Sequence, residues 1–422
     1  MLPAGAADSA AHFGCELRAF NSTRLLCYGP DALRKAYGLY DLIASGNDGT
    51  GQTIVIIDAF GSPTLASDLA NFDAVFGLPA PPSLTQIHMP GSAPFDYSDG
   101  NQLGWAEETS LDVQWAHAIA PGANIVVVAA VDNGDFSLND AQNYAIDHKL
   151  GKIMSESFGS SEIALLQDGA EGQQILSQTE ASYKRARHNN ISLFVSAGDS
   201  GSSSTDINGN LLPTPAPQYP ASSPNVTSVG GTNLFFGSPT AGNPNGSYQV
   251  EFVWNDGFGA GGGGISKAFR QPEWQEESLS KALTKQLGGK RGYPDVAYNA
   301  GVEGGVIVFL GFLDTAFGPG NNGFYIFGGT SASAPQWAGI AALANQYGGR
   351  PVGFINKALY KLGKAGKLQA VTHDVTLGDN GFDGVVGYPA AVGFDLSTGW
   401  GTPNGIVPLL ARDPDDSPDS DD

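Results

Sequence analysis

Ser331 stands in the string Gly328-Gly-Thr-Ser-Ala-Ser-Ala-Pro335, between a strand-like apolar run, Gly323–Phe327, and a helix-like run from Ala334 to Ala344. At a glycine-supported strand-to-helix junction the first backbone N–H groups have no helical partner, and the helix dipole favours negative charge. Such a place suits an oxygen nucleophile and the oxyanion formed when it attacks a carbonyl. A helix cap built of small residues would account for the same string.

A serine nucleophile needs a base, and Glu108 with Asp112 offers one. In the helix predicted over Trp105–Ile119, both carboxyls share the stripe of Leu111, Trp115 and Ile119, while Ser110, Gln114 and His117 point the opposite way. Two carboxyls on a core-facing stripe are costly unless something holds them, because burial and like charge both penalise ionisation. The helix contains no Lys or Arg to pair with them. A third acid, Asp199, lies in Ser196-Ala-Gly-Asp-Ser-Gly201, directly after the strand-like run Ile191–Ser196. Ligand crevices of open parallel sheets lie beyond the carboxyl ends of the strands, so Asp199 is delivered to the crevice that holds Ser331. A plain turn would explain Asp199 taken alone.

The elements around these residues alternate. Thr53–Asp58 and Asn124–Ala130 are continuous apolar runs of the kind buried on both sheet faces, and Lys152–Ser155 is a further strand. Between them, helices are expected at Ser67–Phe76, Asn139–Leu150 and Gln173–Asn189, after a short one at Ala32–Tyr40. This alternation predicts an α/β fold with a mostly parallel sheet and helices on both faces. From 200 to 330 the pattern loosens into Gly-, Pro- and Ser-rich loops with short β runs and interleaved aromatics (Phe252, Trp254, Phe269, Trp274), read as ordered binding loops. Residues 1–50 form a loop-rich arm, 51–410 one catalytic domain, and 411–422 an acidic disordered tail.

Acidic residues outnumber basic ones 42 to 21, which argues against nucleic-acid or anionic-membrane partners. It is compatible with work at acid pH, where protonation reduces self-repulsion; a solvated surface would explain it equally. No apolar run approaches the roughly 18 residues of a membrane span. The two cysteines, Cys15 and Cys27, are close in sequence; a local disulfide would contribute roughly 3 kcal/mol and fit an oxidising compartment, with two buried thiols as the alternative. Met1–Gly5 has no basic-then-apolar pattern, so the chain reads as either intracellular or a processed form.

Glu108-x-x-x-Asp112, Ser-x-Gly-Asp199 and Gly-Thr-Ser331-Ala-Ser, in that order, resemble the sedolisin (serine-carboxyl peptidase) family. Tyr219–Pro224, Gly230-Gly-Thr232 and Tyr293-Pro-Asp295 match it too, and the likeness covers nearly all of 30–407. The resemblance implies a subtilisin-like fold and a secreted, processed endopeptidase acting on polypeptides at acid pH, expected to be a monomer. It implies Ser331 as nucleophile, Glu108 as base, Asp112 as its orienting partner and Asp199 in the oxyanion hole. It also implies one structural Ca²⁺, held by Asp374, Val375, Ala391, Gly393 and Asp395; carboxylates with loop carbonyls are the hard ligands this ion takes. Two departures are visible. Phe158 stands where the family often has Trp, and Ala391 where it often has Gly.

Three rivals share fragments of this pattern. A subtilisin-type Ser/His/Asp site could use Asp58, but none of the six histidines lies in a His-Gly-Thr-His string. A trypsin-like reading of Ala10-Ala-His12 and Gly198-Asp-Ser200-Gly requires an all-β fold and places His12 ahead of every core element. An inactive, peptidase-like binding domain would be expected to lack Ser331 or Glu108.

Overall fold

In the computed structural model, residues 12–17, 25–237 and 247–412 are described; the acidic run Asp413–Asp422 and parts of the N-terminal arm lie outside them. The main sheet contains β1 (Thr53–Ala59), β2 (Leu84–His88), β3 (Asn124–Ala130), β4 (Ile153–Glu156), β5 (Ser192–Ser196), β6 (Thr227–Phe236), β7 (Tyr248–Val253) and β8 (Val296–Asn299). Their order is β7-β6-β5-β4-β1-β3-β2, with β8 also paired to β6. All pairs are parallel except β6 with β7. From β1 the chain builds outward first through β2 and β3, then on the other side through β4 and β5. The crevice opened by that reversal lies at the carboxyl ends of β1 and β4.

The apolar run of β1 is unbroken because both of its faces are covered. Ile54 and Ile56 enter one core; Val55, Ile57 and Ala59 enter the other. The longer helices are α1 (Leu65–Phe76), α2 (Gly100–Ile119), α3 (Asp135–Asp147), α4 (Ala170–His188), α5 (Thr330–Gly348) and α6 (Asn356–Lys364). Helices α2 and α5 cover the first face, through Leu111, Trp115, Ile119, Trp337 and Ile340. Helices α3 and α4 cover the second, through Leu138, Ala145, Ile175 and Tyr183. Each large apolar side chain buried here stabilises the fold by roughly 1.5–3 kcal/mol.

Helix α2 departs from its sequence-based picture. It begins at Gly100, capped by the Asp99 side chain, and from Thr109 onward it is buried on every side. Gln114, expected on the outer face, exchanges two hydrogen bonds with the Phe309 backbone at 2.8 and 2.9 Å. That backbone belongs to β9 (Gly305–Leu310), which pairs antiparallel with β10 (Gly323–Phe327) in a smaller sheet. Trp115 donates to the Ile307 carbonyl of the same strand at 3.0 Å. His117 meets the Pro79 carbonyl at 2.9 Å and Asp73 of α1 at 3.2 Å. The supposed outer face is therefore a polar seam bolted to β9 and α1.

The 200–330 region is more regular than expected, since β6 alone runs for ten residues. Its Gly230-Gly231 pair hid it. A Cβ at Gly231 would lie 2.8 Å from the Ala300 methyl group and 2.9 Å from the Trp254 ring, so close packing excludes a side chain there. In the N-terminal arm, Cys15 and Cys27 are bridged, and they pack with Phe13 and Ile307 beside the smaller sheet.

Candidate active site

Helix α5 starts at Thr330, so Ser331 is its second residue and its N–H is one of the donors without a helical partner. The capping residue Gly329 has φ +103°, ψ 153°, a region essentially reserved for glycine. Pro335, four residues past Ser331, has no N–H to give back, so the Ser331 carbonyl stays outside the helical ladder. Helices α2 and α5 approach closely where a Cβ at Gly339 would lie 2.7 Å from Ile119.

That packing brings Glu108 and Ser331 to one cleft, with Asp112 one helical turn behind Glu108, and both the Ser331 hydroxyl and the Asp112 carboxyl act on Glu108. Asp112 is fully buried, whereas Glu108 keeps some exposure to the cleft. Burial above all, then the charge of Asp58, holds both carboxyls above the ordinary carboxylate range. The Ser331 hydroxyl partly relieves Glu108, and the Ser157 hydroxyl, 2.9 Å from Oδ1, partly relieves Asp112. Oε1 of Glu108 and Oδ2 of Asp112 are buried with no hydrogen-bond partner. A proton shared between the two carboxyls would satisfy both.

Asp199 follows β5 and is gripped by the residue before the nucleophile. Thr330 donates to its Oδ1 through both the backbone N–H and the hydroxyl, at 2.8 Å each. Its carboxyl opens onto the cleft, yet the surrounding protein removes enough water to raise its proton affinity despite the two donors. A neutral carboxyl there can donate a hydrogen bond.

Glu108, Asp199 and Ser331 line one cavity of about 500 Å³, together with Trp105, Ser157, Phe158 and Gln218. Its lining includes no histidine. The rings of Trp105 and Phe158 lie 6.4 Å apart at its edge. Phe158 thus fills a wall of the cleft and displaces none of the acids.

Asp374 and Asp395 meet one turn. Gly393 N–H donates to Asp374 at 2.9 Å, and Ala391 N–H to Asp395 at 3.0 Å. Burial raises both, Asp395 to about 6. Among the described residues no three His, Cys, Asp or Glu side chains converge on one point. A metal held here would lean on the carbonyls of Val375, Ala391 and Gly393 as much as on the two carboxylates; that hard-oxygen set fits Ca²⁺.

Two residues escaped the sequence reading. Asp58 was visible only as a possible triad acid. It falls on the Ile54 and Ile56 face of β1 and is fully buried with neither oxygen bonded; burial raises it to about 7, and its charge acts on both Glu108 and Asp112. An acid ending an apolar strand, in phase with core residues, was the available signal. Ser157 gave none beyond its place one residue past β4.

The subtilase family model matches residues 88–388. Kumamolisin of Bacillus sp. (strain MN-32) is 34% identical over 87% of this chain and 61% of its own length. Sedolisin of Pseudomonas sp. (strain 101) is 30% identical over 86% and 58%. Human tripeptidyl-peptidase 1 is 28% identical over 89% and 62%. The chain thus spans about three fifths of the length of these relatives. A solved structure of Pseudomonas sedolisin, a serine-carboxyl proteinase complexed with pseudo-iodotyrostatin, superposes with a TM-score of 0.74 at 28% identity, covering 92% of this chain and 98% of that one.

Proposed function

Because this chain belongs to the subtilase family, in its sedolisin or serine-carboxyl branch, we propose that it is an acid-acting endopeptidase that cleaves polypeptides through an acyl-enzyme on Ser331. The observation that carries this reading is the convergence of Ser331, Glu108 and Asp199 on one cleft whose lining contains no histidine.

Glu108 takes the proton of Ser331 Oγ as the oxygen bonds to the scissile carbonyl carbon. Asp112, sharing its proton with Glu108, fixes the base and tunes its affinity. The carbonyl oxygen becomes an oxyanion, met by the Ser331 N–H and by protonated Asp199; losing such a donor typically costs on the order of 3 kcal/mol. Glu108 then gives its proton to the leaving amine as the C–N bond breaks. Water attacks the resulting ester, returning a proton through Glu108 and releasing the acid product.

Two ionisations frame the activity. Below the first ionisation of the Glu108/Asp112 pair there is no base, and above the ionisation of Asp199 the oxyanion meets a like charge. Both groups are raised by burial, so the window lies above ordinary carboxylate values.

The remaining assignments rest on the family. One Ca²⁺ at Asp374, Val375, Ala391, Gly393 and Asp395 would tie the C-terminal loops to the core, without entering the chemistry. The enzyme is proposed to be secreted as a processed monomer, with residues 51–410 as its catalytic domain. Ser331→Ala tests the core claim: peptidase activity should vanish with the melting temperature nearly unchanged, and more than trace turnover would remove Ser331 as nucleophile.

A further inference from the structure

Ser157 is the first residue beyond β4, nearly buried, and its hydroxyl lies between two acceptors on two different helices. Asp112 Oδ1 of α2 is 2.9 Å away, and the Ser331 carbonyl of α5 is 3.5 Å away. That carbonyl is available only because Pro335 has no N–H to bond it. A hydroxyl has one proton, and the nearer, acidic acceptor takes it.

The consequence concerns the other oxygen of Asp112. Oδ2 and Glu108 Oε1 are both buried with no hydrogen-bond partner. With Oδ1 occupied as an acceptor, Oδ2 is the oxygen left to carry the proton toward Glu108. We infer that Ser157 is a positioning residue: it orients the Asp112 carboxyl so that the shared proton lies on Oδ2, and it stabilises the ionised form of the Glu108/Asp112 pair.

The charges around the pair leave this task to a neutral donor. Asp112 faces Asp58 from β1 and Glu108 from its own helix, and Glu108 also faces Asp199 from the loop after β5. Among the described residues, the charges that act on the pair are these carboxylates, and none of them favours ionisation. Hydroxyls do, with Ser331 acting on Glu108 and Ser157 on Asp112. Removing the Ser157 donor weakens the anion of the pair, so its first ionisation moves to higher pH.

The inference rests on the peptidase reading, and the experiment separates the two. The pH profile of kcat/KM is measured on an uncharged peptide for the wild type and for Ser157→Ala, Ser157→Cys and Ser157→Thr, with melting temperatures alongside. In Ser157→Ala the acid limb should move up by about one pH unit and peak kcat/KM should fall about tenfold, mostly in kcat. The near-isosteric Ser157→Cys, a weak donor, should show a smaller shift in the same direction, and Ser157→Thr should restore the wild-type limb. A folded Ser157→Ala with its acid limb in the wild-type position overturns the inference. So does an unshifted Ser157→Cys if the alanine variant does not fold, or a Ser157→Thr limb displaced as far as that of alanine. A wild type without peptidase activity, or one whose activity survives Ser331→Ala, would sink the underlying reading instead.

Discussion

Thr330 holds Oδ1 of Asp199 with its backbone N–H and its hydroxyl, each at 2.8 Å, so the residue that grips the acid is the one preceding Ser331. The same hydroxyl accepts from the Gly198 N–H at 3.0 Å, closing a ring between the turn after β5 and the start of α5. With Oδ1 accepting twice, a proton on Asp199 belongs on Oδ2, the oxygen beside Gly329.

Asp199→Asn should preserve this grip, since the amide oxygen can still accept from Thr330. Its NH₂ replaces the protonated Oδ2 as a weaker donor that does not titrate. Peak kcat/KM should fall, by less than the roughly 10²–10³-fold cost of deleting an oxyanion donor, and the high-pH limb should relax. A pH profile unchanged in both height and shape would remove Asp199 from the oxyanion hole.

Gly329→Ala places a methyl group 2.7 Å from Asp199 Oδ2 at φ +103°. The backbone strain alone costs about 1–3 kcal/mol, and relief requires moving Asp199 or the start of α5. The melting temperature should drop and kcat should fall with it. Wild-type values of both would show that neither the turn nor the acid is under this constraint.

Glu156 is fully buried, bonded to the Tyr183 hydroxyl at 2.8 Å, and burial raises it to about 8 from an ordinary 4.5. Asp58 is raised by burial to about 7. For carboxyls raised in the folded state, the folded protein binds more protons, so their contribution is fully present below the unfolded values. It is lost as pH rises through the folded ones. Stability should therefore decline between about pH 4 and pH 8. Glu156→Gln should flatten that decline by several degrees of Tm near neutrality while changing little at acid pH. Parallel Tm profiles for the two proteins would refute the assignment.

Calcium removal gives the fourth test. If Asp374 and Asp395 hold an ion, a chelator at neutral pH should lower Tm by linkage, and Asp395→Asn should abolish the difference between chelated and calcium-loaded samples. Acidification through the raised value of Asp395, about 6, should weaken binding. An unaltered Tm together with no calcium by elemental analysis would exclude the site.

The sequence by itself determined the layered architecture, because a strand covered on both faces must be apolar throughout, as in β1 and β3. It also determined the strand–glycine–helix junction at Ser331 and the anomaly of Glu108 and Asp112 on a core stripe, since both follow from local periodicity. The tertiary structure alone decided what lies behind that stripe. Gln114 and His117 look solvent-facing by periodicity, yet β9 and α1 cover them, supplying a backbone nearly two hundred residues away and the carboxylate of Asp73. The same holds for Asp58 beneath the carboxyl pair, Ser157 against Asp112 and Thr330 on Asp199. Helical and strand periods encode which way a side chain points, whereas a hydrogen bond depends on which distant atom arrives there, and only the packed chain fixes that.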